Sequence, residues 1–159
     1  TTPPLFRLKA GEQGFVRILR SGKPLPEERE SMFWLNIKGI PAMDSAPDKN
    51  MVQFAINSRI KLIFRPAALK NAIPEKFAEK LQWSAEGRDI KVKNPSPLYM
   101  NFSDITVNGK SVPEAWFVAP FSTIKIPVAN TSSPGKKKIT WSVINDYGMP
   151  GPKYTAIIQ

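Results

Sequence analysis

The 159-residue sequence contains no cysteine and no histidine. Without cysteine there is no disulfide framework, no thiolate zinc site and no thiol nucleophile. Without histidine the usual general base near neutral pH and the commonest transition-metal ligand are gone. Proton transfer would fall to carboxylates or lysines, so the chain is expected not to be an enzyme. No apolar run approaches the ~20 residues of a membrane span. No secretory leader is expected at Thr1, where no charged stretch precedes an apolar one; a mature secreted protein would begin the same way. Acidic residues are the scarcer charge, 13 against 23 Lys+Arg, for a net charge of +10. That balance suits a soluble basic surface, an acidic partner, or a ligand bearing carboxylate or phosphate.

What is abundant is proline, 16 residues. It punctuates short runs rich in Val, Ile, Phe and Trp, the pattern of an all-β sandwich or barrel. Strands are expected at 5–8, 15–19, 32–40 and 52–64, then at 81–87, 89–94, 98–107, 122–128, 137–146 and 153–159. Asn108-Gly109 predicts a two-residue hairpin, because both central positions of a type I′ turn need positive φ. "PEKFAEKL" (74–81) is the one helical stretch, with Pro74 near its start. A boundary in "RPAALKNAIPE" divides the chain into 1–66 and 67–159. The second part approaches the ~100 residues of an immunoglobulin-like sandwich. The first, with four expected strands, is too short for two closed layers, so half a sandwich is expected there.

"LPEERESMFWLNIKGIPA" (25–42) carries the most specific signal. It resembles the signature of the periplasmic pilus-assembly chaperones of the chaperone–usher pathway. Glu28 departs from that pattern, where Asp, Asn or Ser precedes Arg29. "TPPLFRL" (2–8), "RIKLIFRPAALK" (59–70), "NPSPLYM" (94–100) and "NDYG" (145–148) agree with the family in order and spacing. The resemblance implies two immunoglobulin-like domains set in an L with a cleft between them. It also implies that this chain starts near the middle of the first domain, with roughly 40 or more residues absent against ~100 per sandwich. One of the family's two cleft cations falls in that absent part.

"MVQFAI" (51–56) raises a question of its own, since Val52, Phe54 and Ile56 alternate and share one face of an extended strand. Period alone would assign them to the domain's own core. The resemblance implies instead a strand donated to a pilus subunit that lacks its last strand. It further makes Lys61 the anchor for the subunit's C-terminal carboxylate, and joins Glu30, Arg65 and Asp146 in an ionic cluster between the domains. Thr2, Pro3, Leu5, Arg17, Ile40 and Pro41 match a surface patch for the outer-membrane usher. The implied protein is a periplasmic chaperone that binds, folds and caps pilus subunits. It works without cofactor or metal, nucleic acid or insertion into the membrane.

Two other classes are open on residues alone. "GKKKIT" (135–140) suits a basic β-module for nucleic acid or another polyanion, although three lysines after a glycine commonly mark a solvated hairpin turn, and the aromatics of a single-strand binder are not interleaved with them. Glu27-Glu28 and Glu75/Glu79 are the carboxylate pairs an enzyme would need, and neither lies in a catalytic frame. "NFS" (101–103) and "NTS" (130–132) fit the glycosylation pattern, relevant only in a eukaryotic secretory setting.

Overall fold

The computed structural model describes residues 1–41, 52–128 and 135–159. The elements are β1 (Ser31–Gly39), β2 (Ile56–Phe64), α1 (Pro74–Ala78), β3 (Gln82–Glu86), β4 (Asp89–Lys93), β5 (Met100–Val107), β6 (Lys110–Ser111), β7 (Phe117–Val118), β8 (Thr123–Pro127), β9 (Lys137–Val143) and β10 (Tyr154–Ile158). A 3₁₀ turn at Ala67–Leu69 precedes α1.

The second part is a two-sheet sandwich. One sheet runs β10-β9-β5-β6 with β7 also on β5; the other runs β3-β4-β8. Alternation supplies the core: Ile90 and Val92 from β4, Ile126 from β8, Ile139, Trp141 and Val143 from β9. β5 contributes Met100, Phe102, Ile105 and Val107, which a strict period of two would not bury together. A register shift between Phe102 and Asp104 re-phases the strand so that both halves face inward. Trp141 sits against Trp83 and Tyr154, and its indole N–H donates to the Ala78 carbonyl at 3.0 Å, which fastens α1 to the sandwich. Each such aliphatic side chain contributes roughly 1.5–3 kcal/mol on burial.

Asn108 and Gly109 have φ of 51° and 78° and close β5 onto β6, the positive-φ pair that the dipeptide predicts. The helix is shorter than 74–81. After Ala78 the chain tightens into i→i+3 bonds, from Lys80 N–H to Phe77 O and from Leu81 N–H to Ala78 O. "GKKKIT" is not a turn either. Lys137 opens β9 with its stem buried, between exposed Lys136 and Lys138.

The first part is different. β1 and β2 pair antiparallel from Ser31↔Phe64 to Gly39↔Ile56 and form the sheet alone. The strands expected at 5–8 and 15–19 do not form. Only Thr2 and Arg17 meet, each backbone N–H donating to the other's carbonyl at 2.9 Å. A strand exists by pairing a run of backbone groups with a neighbour, and among the described residues 5–8 has no such partner and 15–19 has only the single bridge from Arg17 to Thr2. Leu5 (78%) and Phe15 (83%) are correspondingly exposed. No apolar side chain among the described residues of 1–65 is buried; the hydrophobic core cluster runs from Ala78 to Ile158. The described residues of 1–66 therefore show one layer and no closed two-layer core.

Candidate functional site

The junction of the two parts is held by charge. Arg65, just past the end of β2, donates from Nε to Glu30 Oε1 at 2.7 Å. Its two terminal nitrogens form a fork onto Asp146, at 2.6 and 2.7 Å, and Nη1 also reaches the Ala72 carbonyl at 3.0 Å. The Asp146 carboxylate first, and Glu30 after it, hold the guanidinium charged beyond even its ordinary high range. The Glu30 side chain is only 2% exposed. Its second oxygen accepts from Tyr99 N–H at 2.6 Å, and its own N–H donates to Pro97 O at 2.9 Å. One buried carboxylate is thus satisfied from both parts of the chain.

Local sequence places these partners. Asn94, fully buried, donates to the carbonyls of Leu98 and Ala119 and accepts from Ser96 N–H and Oγ. That side chain ties up the "NPSPL" loop, so Pro97 and Tyr99 present their backbone to Glu30. Asn145 does the same for Asp146: its Oδ1 accepts from Tyr147 and Met149 N–H, both at 3.0 Å, and Gly148 turns the chain at φ 77°. Arg29 adds a lighter contact, its guanidinium 5.5 Å from the Phe121 ring centroid.

Lys61 crosses the same junction. Its Nζ donates to Asn101 Oδ1 on β5 at 2.7 Å and lies 4.3 Å from the Phe117 ring centroid. The ring of Trp34, its register partner on β1, has its centroid 5.9 Å from the same nitrogen. Lys61 is half-buried, and desolvation lowers its pKa. Among the described residues no carboxylate stands within salt-bridge distance of it. The site therefore keeps a shielded cation whose neighbours are an amide and aromatic faces, with no anion of the chain's own.

The stripe lies at the opposite end of β2. Val52 (74%), Phe54 (78%) and Ile56 (70%) are exposed. The strand expected from residue 52 begins at Ile56, because β1 ends its pairing at Gly39; Met51 and residues 42–50 lie outside the described residues. Alternation puts Ile56 on the face of Ile60, Leu62 and Phe64, opposite Phe33 and Leu35, and Lys61 on the other face. Ile56 and Lys61 thus lie on opposite faces of β2 as well as apart along it.

Of the remaining candidates, Pro3, Leu5 and Ile40 line an open groove of about 1010 Å³ between the N-terminal segment and β1. Thr2 and Arg17 are joined by their backbone pair, and Pro41 is exposed beyond the end of β1. Asn101 entered from sequence only as the first residue of "NFS", Trp34 only within "LPEERESMFWLNIKGIPA", Asn94 and Tyr99 only within "NPSPLYM", and Phe117 not at all.

Fold and junction together define a class: an all-β protein of two units locked by a buried carboxylate–arginine network. The description "Pili and flagellar-assembly chaperone, PapD N-terminal domain" matches residues 1–70, and "Pili assembly chaperone PapD, C-terminal domain" matches 76–155. The chain is 40% identical to chaperone protein caf1M of Yersinia pestis over 92% of its length, and 40% identical to chaperone protein FimC of Escherichia coli over 99%. It spans 62% and 64% of those two relatives. Among solved structures it resembles a chain of the Salmonella enterica complex of SafA pilin with the SafB chaperone. The TM-score there is 0.77 at 33% identity, covering 87% of this chain and 64% of that one. The chain belongs to the pilus-assembly chaperone family, whose immunoglobulin-like domains it shares. That family is one of chaperones rather than enzymes, and nothing in these matches supports a nucleic-acid or polyanion module. No helix among the described residues is long and apolar enough to cross a membrane.

Proposed function

We propose that this chain is the subunit-capturing part of a periplasmic chaperone that holds pilus subunits by strand donation and passes them to an outer-membrane usher. In this reading residues 1–66 carry the donor and the anchor, and 67–159 form the second domain. Val52, Phe54 and Ile56 fill a subunit's open core, and their backbone adds a strand to its sheet. Lys61 takes the subunit's C-terminal carboxylate as a charge-assisted hydrogen bond. Fixing that end sets register, because a one-residue slip would turn every side chain of the stripe to the wrong face. Glu30, Arg65 and Asp146 hold the angle of the cleft, the use for which buried ion networks are better suited than for stability. The patch of Thr2, Pro3, Leu5, Arg17, Ile40 and Pro41 faces the usher. No catalysis, cofactor, nucleic acid or membrane insertion enters.

The observation that carries this reading is Lys61, a half-buried cation at the junction with no carboxylate of its own among the described residues. Co-purification from a periplasmic extract tests it. The full-length protein is expected to bring down pilus subunits, and Lys61→Ala to bring down none with its melting temperature lowered by no more than a few degrees, since the change removes one hydrogen bond at the junction and no core volume. Unchanged capture by Lys61→Ala would place the carboxylate anchor elsewhere.

A further inference from the structure

Asn101 holds Lys61 by its side-chain oxygen, and this fixes the orientation of the amide. An ammonium only donates, so Oδ1 must face Nζ and Nδ2 must point away from it. Nδ2 then has no hydrogen-bond partner among the described residues, although the side chain is half-buried. The backbone of Asn101 is already committed: its carbonyl accepts from Ile144 N–H at 2.8 Å and its strand pairs Phe117 of β7. The side chain is therefore held on a fixed shelf of the second domain, beside a ring that lies 4.3 Å from the ammonium. Around one point the chain has gathered a cation without an anion, an amide donor without an acceptor, and an aromatic wall. A carboxylate suits that set. One of its oxygens accepts from Lys61 Nζ and the other from Asn101 Nδ2, while Oδ1 keeps the ammonium aimed.

We infer that Asn101 is a second carboxylate-binding residue, which both aims Lys61 and donates to the captured C-terminus. The inference rests on the reading of Lys61 as the carboxylate anchor. It adds that the anion site is shared between the two domains, so the junction must be closed for the site to be complete.

The test uses the full-length protein and one short fluorescent peptide of alternating valine and threonine, made once with a free C-terminal carboxylate and once as the C-terminal amide. The readout is the ratio of the two affinities. The wild type is expected to prefer the acid. Lys61→Ala should erase the preference, and Asn101→Ala should reduce it about tenfold, the loss of one charge-assisted bond and of the aim of another. Asn101→Asp should abolish it, because a fixed carboxylate beside Nζ would occupy the cation. Circular dichroism and melting of each variant exclude a general loss of fold, and the titration of Lys61 Nζ followed by NMR gives a second readout. Losing the Asn101 acceptor should lower its pKa, and Asn101→Asp should raise it. An acid preference equal to wild type in Asn101→Ala and Asn101→Asp would overturn the role of Asn101 and leave that of Lys61 standing. A wild type that binds acid and amide equally would overturn both.

Discussion

Phe54→Glu in the full-length protein should abolish capture of pilus subunits while moving the melting temperature by no more than a few degrees. The side chain is 78% exposed, so the substitution removes no packing from this chain. In the proposed complex the same side chain is buried in an apolar groove. Losing that burial and forcing a carboxylate into its place together cost roughly 3 kcal/mol or more, above about a hundredfold in affinity. Phe54→Leu keeps the apolar plug and should retain most of the capture. Ile56 gives the experiment its edge, because it shares a face with Ile60, Leu62 and Phe64, the apolar side of the β1–β2 sheet. If Phe54→Glu unfolds the free protein, the stripe continues that face into the chain's own core and is not donated.

Arg65→Ala has the other large expected effect. It leaves the Glu30 carboxylate, 2% exposed, with the Tyr99 N–H but without its cation. Removing one member of a buried pair typically costs about 3–5 kcal/mol. The Asp146 half of the fork adds little to that, since its side chain is 50% exposed and an exposed pair is worth ~0–1 kcal/mol. The loss falls at the junction and not in the sandwich core, so the two parts should separate before the second domain melts. Solution X-ray scattering of the full-length variant should show a larger radius of gyration, and thermal melting should split or shift downward. Arg65→Lys keeps a charge but not the fork, and should fall between the two. Scattering and melting curves that overlay the wild type would remove the network from any role in setting the cleft.

The sandwich was the most legible part of the sequence. Ile90/Val92 and Ile139/Trp141/Val143 alternate cleanly because one face of each strand is buried. The Asn108-Gly109 turn was legible for a different reason, a backbone requirement that few residues meet. β6 and β7 were missed, since two residues each carry no period. The opposite error occurred at 5–8 and 15–19, where apolar residues suggested strands but pairing partners are wanting among the described residues. Chemistry at the junction was not legible from pattern at all. Arg65 and Asp146 are 81 residues apart, and Glu30 and Tyr99 are 69 apart. Only the family resemblance brought Glu30, Arg65, Asp146 and Lys61 forward. It did not bring forward Asn101, whose part depends on an amide oxygen 2.7 Å from an ammonium, a relation no spacing encodes.

Strand donation makes one demand that no other use of this stretch makes: the backbone of Val52, Phe54 and Ala55 must acquire hydrogen bonds when a subunit arrives. Amide hydrogen exchange of the full-length protein, alone and in complex with a pilus subunit, reads this directly. The account predicts fast exchange at Val52, Phe54 and Ala55 in the free protein and strong protection in the complex, with the Trp141 region of the core unchanged between the two. Exchange at Val52, Phe54 and Ala55 that is equally slow before and after binding, or equally fast, would contradict it.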